Sequence, residues 1–431
     1  MHRRIAVAVA VLFCAVSAAA RDPYTLSVWV RNNSTSVATF NNNNGGNTIT
    51  EVNPVWYSMT DPNLGPVRIV QASIVPGLNS SGMQLVPVIQ NIVNGNWSVA
   101  ATNWILANPD QHAADIKALL DAHPEYAGIE LDYESMLSDT TDPAVMDARR
   151  DLFTSLVQKI KAQIGTRKLS VCVYRKRDLN GTRDAKTARI FDYAGLTGPY
   201  AADEIKIMMY SDISSTSNEL VKNTAYREAL TFADAQVVNH NKIVVALPWY
   251  GYNLTTRVEG TAAADYCCES RNASGELLYN DSAGNQWVVM DEQATRTKIL
   301  IALNEFDVGG FAFWEAGRIV NFPGVWETIR GKINNGGATV NPINPPFCPA
   351  MPYQVYIDWG TTVIPAGASY RFDWYQWGFN TGNYTWKATG DPSSPGLNGG
   401  SYFVRVHGVS GRRVYEAESQ NMFTLTCVMH P

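Results

Sequence analysis

The sequence predicts an α/β chain: a (β/α)8 TIM barrel followed by a small all-β, sandwich-like domain. Three observations predict it. Short apolar runs alternate with segments of helical period from Tyr24 to Ile333, and such alternation implies a parallel sheet. One run, Tyr126-Ala127-Gly128-Ile129-Glu130-Leu131-Asp132-Tyr133-Glu134, reads with period two. It sends Gly128, Glu130, Asp132 and Glu134 to one face and Ile129, Leu131 and Tyr133 to the other. Beyond Pro345 the helical period disappears and short strands separated by turns take over. Eight units over about 300 residues fit a barrel with one insertion. A doubly wound open sheet is the structural alternative, but no Gly-x-Gly-x-x-Gly follows the first strand.

Taken in order, Tyr24 to Val30 is the first strand, and the Asn41 to Gly46 stretch reads as a loop. Val55-Trp56-Tyr57 ends the second strand. Gln84 to Gln90 is the third, apolar enough for a strand buried on both faces. Asp110 to Leu120 is a helix with Ala114, Ile116, Leu119 and Leu120 on its apolar side, and the acid strand follows. Asp142 caps the next helix and Pro143 occupies its first turn. Leu152, Phe153, Leu156, Val157 and Ile160 recur there at three and four. Leu169 to Tyr174, Glu204 to Tyr210, Lys242 to Leu247 and Gly309 to Trp314 are the remaining strands. Helices are expected near Thr187 to Leu196, Thr224 to Gln236, Glu292 to Phe306 and Val325 to Ile333, with a long insertion over 252–289. Pro345, Pro346 and Pro349 mark a linker. After it, runs such as Tyr370-Arg371-Phe372, Tyr384-Thr385-Trp386 and Tyr402 to Val406 suggest a β-sandwich over 345–431.

The 431 residues carry a formal charge of −5, which argues against a nucleic-acid or anionic-membrane partner. His2-Arg3-Arg4, the apolar run Ile5 to Val16 and the small residues Ser17 to Ala20 read as a secretory signal peptide over 1–20. The apolar run is short for a membrane span. A secreted, extracellular or secretory-lysosomal location and a monomer are expected. Sequons at Asn32, Asn33, Asn79, Asn96, Asn180, Asn253, Asn272, Asn280 and Asn383 fit a glycoprotein. Cleavage would remove Cys14 and leave Cys172, Cys267, Cys268, Cys348 and Cys427, an odd number. Cys172 lies in an apolar strand as a buried free thiol, and Cys348 and Cys427 bracket the C-terminal region and could pair. None has zinc-ligand spacing, and neither a metal nor another cofactor is implied.

Three carboxylates on one strand face lie about 7 Å apart at alternate positions. Like charges so placed raise at least one pKa, and a protonated acid beside an ionised one suits glycosidic bond cleavage. A solvated face or an ion-pair ladder is the plainer reading of the same stretch. The stretch resembles the signature of glycoside hydrolase family 18, the chitinase family, whose pattern is Asp-x-x-Asp-x-Asp-x-Glu on the fourth barrel strand. Here it reads Ala127-x-x-Glu130-x-Asp132-x-Glu134, with the last two acids matched, the second lengthened and the first missing. Met208-x-Tyr210 is similar to the family's Met-x-Tyr on the sixth strand, although Ser211 separates Tyr210 from Asp212. Leu247-Pro248-Trp249-Tyr250-Gly251 and Gly309-Gly310-Phe311-Ala312-Phe313-Trp314 resemble the motifs ending the seventh and eighth strands. The four motifs fall in family order across residues 23–335. The C-terminal region more loosely resembles the immunoglobulin-like domain of fungal cell-wall proteins of the Kre9/Knh1 type.

The family-18 resemblance implies substrate-assisted, retaining hydrolysis of β-1,4-linked N-acetylglucosamine polymers or oligosaccharides, such as chitin. Glu134 would protonate the glycosidic oxygen, and the substrate's acetamido oxygen would attack C1. Asp132 would accept the acetamido N–H, Tyr210 would bond the acetamido oxygen, and Glu130 would pair with Asp132 and tune it. Trp314 would floor the sugar site, with Met208 beside it. Trp249, Tyr250 and Trp56 could line the groove, since flat rings pack on sugars. Trp97, Trp104 and Trp326 read as core. Trp374, Tyr375 and Trp377 form a C-terminal aromatic cluster that reads as sandwich core or as a glycan site. Two other functions compete: a non-catalytic, lectin-like barrel, and a hydrolase of peptidoglycan or of the N-glycan core.

The Pro-rich linker and the change of period predict that removing residues from 345 onward leaves a folded barrel. The truncated chain should be soluble and keep any activity on short oligosaccharides. Insolubility with loss of that activity would mean that the two regions share a core.

Overall fold

The structure is a computed structural model. It describes residues 24–43, 49–178, 184–210, 212–263, 266–322, 324–326 and 329, and then the backbone of seven strands between 339 and 425. The expected signal peptide, the Pro345–Pro349 linker, Asn180, Ser211, Cys348 and Cys427 lie outside the described residues, as does most of the helix expected at Val325 to Ile333.

Eight parallel strands close a barrel: β1 Thr25–Arg31, β2 Glu51–Met59, β3 Val88–Gln90, β4 Gly128–Asp132, β5 Lys168–Tyr174, β6 Glu204–Met208, β7 Ile243–Pro248 and β8 Gly310–Trp314. Each pairs with the next, and β8 returns to β1 through Thr25 opposite Gly310. Gly128 opens β4 because nothing larger fits: a β-carbon there would lie 2.1 Å from the Lys168 carbonyl oxygen. The third strand is shorter than its apolar run suggests. Pro87 cannot donate a backbone hydrogen bond, and the pairing divides into Gln84–Leu85 and β3 on either side of it.

Helices α1 Ser34–Asn43, α2 Val99–Ala107, α3 Pro109–Ala122, α4 Pro143–Ile164, α5 Tyr193–Leu196, α6 Asn223–Gln236 and α7 Glu292–Glu305 lie among the strands. Asp142 caps α4 by accepting from the Ala144 N–H at 2.9 Å. Phe153, Leu156, Val157 and Ile160 bury its inner side, whereas Leu152, expected among them, is exposed. Helix α1 corrects the loop expected at Asn41: Asn41 to Asn43 are its last turn. Val37 and Phe40 bury one short apolar stripe there, too brief to stand out as a period in a polar segment. Helix α2 is apolar nearly all round, so it showed no amphipathic face. The weak helix expected near Thr187 is a 3-10 turn, Lys186–Ile190, followed by α5.

The insertion is a sheet of its own. Five antiparallel strands run in the order Val258–Gly260, Gly251–Asn253, Gln286–Val289, Leu277–Asp281 and Tyr266–Arg271. In the C-terminal region the strand Ser369–Gly378 pairs with Asn383–Gly390 and Gly400–Ser410. Arg413–Glu418 and Phe423–Leu425 pair with Gly400–Ser410. Thr339–Pro342 and Val355–Asp358 form a separate antiparallel pair. The expected strands are present in one five-stranded sheet and one ribbon, and two unanticipated strands join them, Arg413–Glu418 in the sheet and Thr339–Pro342 in the ribbon.

Outward-facing residues such as Leu131, Val171, Ile207, Val245 and Phe313 pack in the apolar layer beyond the strands. The barrel interior differs from the usual branched apolar filling. Its lower layers are polar. Thr25, Glu51, Lys168 and Glu204 are the first residues of their strands, and Ser27, Asn53, Glu130, Ser170 and Lys206 are the third. Lys206 Nζ reaches Glu130 Oε2 at 2.5 Å, Glu51 Oε1 at 2.6 Å and Asn53 Oδ1 at 2.9 Å. Lys168 Nζ pairs with Glu51 and, at 2.8 Å, with Glu204. Burial alone would raise the Glu51 carboxyl, but the two ammonium groups hold it down at about 2. Glu204 is the surplus acid. Burial raises its pKa, Lys168 pulls it back only in part, and the Glu51 charge adds to the rise.

Removing one partner of a buried ion pair leaves an uncompensated charge and costs about 3–5 kcal/mol. Lys206→Met should therefore destabilise the barrel by about that amount in urea unfolding. Lys206→Met combined with Glu130→Gln should recover part of the loss. Equal stability of the single variant and wild type would show that Lys206 does not hold the cluster together.

Candidate active site

The carboxyl ends of the strands open into one cavity of about 600 Å³. Asp132, the last residue of β4, and Glu134, two residues on, both line it. The chain at Glu134 is held by one side chain on both sides: Asn91 Oδ1 accepts from the Glu134 N–H at 2.9 Å, and Asn91 Nδ2 donates to the Glu134 carbonyl at 2.9 Å. Asn91 is fixed in turn by its bond to Thr102 Oγ1 at 2.9 Å. Ser135 then turns the strand away with φ of 56°. Tyr174, at the end of β5, donates its hydroxyl to Glu134 Oε2.

Asp132 is 7 % exposed. Gln90 Nε2 donates to its Oδ2 at 2.8 Å, while Oδ1 has no N–H or O–H donor. Burial pushes the Asp132 carboxyl well above its ordinary range, and the charge on Glu134 pushes it further. Glu134 is raised too, first by burial and then by Glu259, against the Tyr174 hydrogen bond, which lowers it. Glu259 reaches the cavity from the insertion. The two acids are a coupled pair that keeps hold of a proton above the pH at which a free carboxyl would lose it.

Tyr210, Met208 and Trp314 line the same cavity, as the strand-end motifs led us to expect. Trp314 stands edge-on to Trp29 with ring centroids 6.0 Å apart, and Tyr210 is edge-on to Tyr250 at 6.2 Å. Trp249, Tyr250 and Trp56 do not line the cavity, which corrects the expected groove. Trp249 is fully buried, stacked on Phe313 at 4.3 Å and close against Trp326 at 4.7 Å. Tyr250 is buried behind Tyr210. Trp56 packs on Tyr126 with centroids 6.1 Å apart. Trp97, read as core, is on the cavity wall instead.

Glu130 also departs from expectation, because it does not bond to Asp132. Its Oε1 accepts from Trp29 Nε1 at 2.5 Å and from Cys172 Sγ at 3.3 Å, and its Oε2 faces Lys206. It acts on Asp132 through its charge, which raises the Asp132 pKa. Cys172 is the buried free thiol expected from its strand, but it also borders the cavity. Asp212, displaced by one residue from the family position, is held by Arg175 at 2.5 and 2.7 Å. Sequence reasoning missed Gln90, Tyr174 and Arg175. The available signal was position, since all three lie at or just past the end of a strand. Among the described residues no cluster of His, Cys, Asp and Glu could hold a metal ion.

No protein-family model and no curated protein sequence matches the chain. Solved structures do. A chitinase from Chromobacterium violaceum ATCC 12472 is 17% identical over 71% of this chain and 98% of its own, with a TM-score of 0.57. A class V chitinase from Pseudomonas fluorescens Pf-5 gives the same identity, coverage and TM-score. The spore cortex-lytic enzyme SleL of Bacillus cereus is 17% identical over 72% of this chain and 74% of its own, at 0.56. The barrel is chitinase-like in fold. The resemblance carried by the four strand-end motifs and the likeness of the backbones agree on this architecture.

The Tyr174 bond predicts a shift in any pH–rate profile of this chitinase-like barrel. It favours the ionised form of Glu134, so removing it raises the acid's pKa. A hydrogen bond to a charged group contributes about 1.5–3 kcal/mol, or about one to two pH units. Tyr174→Phe should therefore move the alkaline limb of kcat/KM upward by about one unit. An unmoved limb would mean that Glu134 does not carry the proton that limits the rate.

Proposed function

We propose that this chain is a glycoside hydrolase that cleaves β-1,4-linked N-acetylglucosamine polymers or oligosaccharides by substrate-assisted, retaining catalysis. One observation carries the reading. Glu134 and Asp132, both raised by burial, open into a single cavity with Tyr210 and Trp314. In this mechanism Glu134 gives its proton to the glycosidic oxygen as the bond to C1 breaks. The acetamido oxygen of the same sugar closes on C1 from the opposite face, forming an oxazolinium ion. Asp132 Oδ1, buried and without an N–H or O–H donor of its own, accepts the acetamido N–H and meets the positive charge that grows there. Tyr210 donates to the acetamido oxygen and aligns it. Water activated by Glu134, now a base, opens the ring with retention. Trp314 offers its face to the sugar.

A barrel fold does not fix its substrate, and the likeness to SleL, a spore cortex-lytic enzyme, keeps a cell-wall polymer in competition with chitin. Product analysis on chitin oligosaccharides, peptidoglycan and N-glycans separates these. The prediction is release of N-acetylglucosamine oligomers from chitin oligosaccharides with retained anomeric configuration. Glu134→Gln keeps the shape and removes the transferable proton, so it should lower kcat at least 100-fold, on the order of a general acid's contribution. It should still bind the oligosaccharide. A wild-type protein that binds but cleaves none of the three polymers would instead be a lectin-like barrel.

A further inference from the structure

The insertion sheet carries a feature that the glycosidase reading does not use. Cys267 and Cys268 are adjacent and both exposed on the strand Tyr266–Arg271. In a regular strand successive side chains leave opposite faces, so neighbouring thiols point apart. Here the two Sγ atoms lie 2.8 Å from each other. The backbone brings this about in two ways. Cys267 faces Asn280 and Ser270 faces Leu278, so Cys268 and Glu269 together oppose Tyr279, which is a β-bulge. Within it Cys268 has φ of 62°, in the left-handed region that a β-carbon disfavours and that glycine usually fills in a bulge. A cysteine thus occupies a position suited to glycine, and its thiol meets its neighbour's.

We propose that Cys267 and Cys268 form a reversible vicinal dithiol–disulfide couple, a modification site that also takes ligands requiring two thiols at once, trivalent arsenicals being the class. With a low-molecular-weight disulfide such as oxidised glutathione as the oxidant, the thiolate of one cysteine attacks a glutathione sulfur. That forms a mixed disulfide and expels one glutathione thiolate, which takes up a proton. The second cysteine thiolate attacks the protein sulfur of the mixed disulfide, closes the Cys267–Cys268 bond and expels the second glutathione. Two cysteine thiols are oxidised, and one glutathione disulfide is reduced to two thiols. The closed form is readily reopened. Consecutive Cα atoms are about 3.8 Å apart, below the roughly 4.4–6.8 Å that disulfides prefer, and departures from that geometry make the bond easier to reduce.

The test uses the full chain incubated with oxidised glutathione, alkylated with iodoacetamide, digested and weighed. The peptide spanning both cysteines should have lost two hydrogens and should take no label. After dithiothreitol it should take two. Cys268→Ser should stop at the mixed disulfide with glutathione on Cys267. Phenylarsine oxide should protect both thiols of the wild type from iodoacetamide and fail to protect Cys267 in the variant. Full double labelling after oxidation, a bond from either cysteine to Cys348 or Cys427, or a stable glutathione adduct on the wild type would overturn the proposal.

Discussion

Two lysines held inside a β-barrel by three glutamates are the constraint on which the rest of the molecule depends. Lys206 and Lys168 lie among Glu51, Glu130 and Glu204, with the apolar Val88 opposite Glu130 and Val244 opposite Lys206 on the neighbouring strands. Charges so buried repay their desolvation only where the geometry is close and the remaining valences are met. That requirement fixes strand register. Lys206 bonds side chains from β2 and β4, so a one-residue slip of β6 would turn its ammonium into the apolar layer outside.

The cluster also prepares the site above it. The residues one pleat higher are Trp29, Asp132, Cys172 and Met208, and all four line the cavity. Asp132 therefore has the buried Glu130 carboxylate beneath it and the Glu134 carboxyl beside it. Burial and two neighbouring carboxylates push its proton affinity in the same direction. The Lys206 ammonium is taken up by glutamates and does not pair with Asp132. Asp132 is tuned first by burial and by the Glu134 carboxyl that lines the cavity with it, and to a lesser degree by the Glu130 charge beneath.

The barrel was legible in the sequence because its strands alternate apolar residues outward with a fixed period, and its helices α4, α6 and α7 carry caps or clear stripes. That Glu134, Asp132, Tyr210, Met208 and Trp314 share one cavity was legible because their motifs fall at strand ends, which open at a barrel's mouth. The ionic layer was not read, although its pattern was present: Glu51 and Asn53, Lys168 and Ser170, and Glu204 and Lys206 alternate with apolar neighbours. Polar alternation of that kind ordinarily marks a solvated face, and nothing local distinguishes a strand whose polar side meets water from one whose polar side meets other strands' charges. The aromatic residues failed for a related reason. Trp249 and Trp97 are alike as sequence, and only tertiary packing sends one into the core and the other to the cavity wall.

The missing first acid of the family pattern now has a physical account. Ala127 precedes β4 and contributes only backbone, its N–H to the Leu85 carbonyl and its carbonyl to the Lys168 N–H. A carboxylate at the outer end of a relay would serve to pass charge toward Glu130. Here Glu130 is already occupied by Trp29 Nε1, Cys172 Sγ, Asn53 Nδ2 and Lys206 Nζ. With both oxygens engaged in this way, Glu130 cannot turn toward Asp132 without taking from Lys206 one of its two close carboxylates, which would leave Glu51 alone at 2.6 Å. Glu130 therefore acts on Asp132 through its charge, and the Cys172 thiol, a hydrogen-bond partner of both carboxyls, stands between them. The lengthened side chain at position 130 fits this arrangement, since the extra methylene lets its carboxylate lie against the Lys206 ammonium from β6 while its backbone stays in β4. A shorter acid at that position would draw its carboxylate back from the ammonium, and Lys206 would then lack one of the two carboxylates that hold it within 2.6 Å.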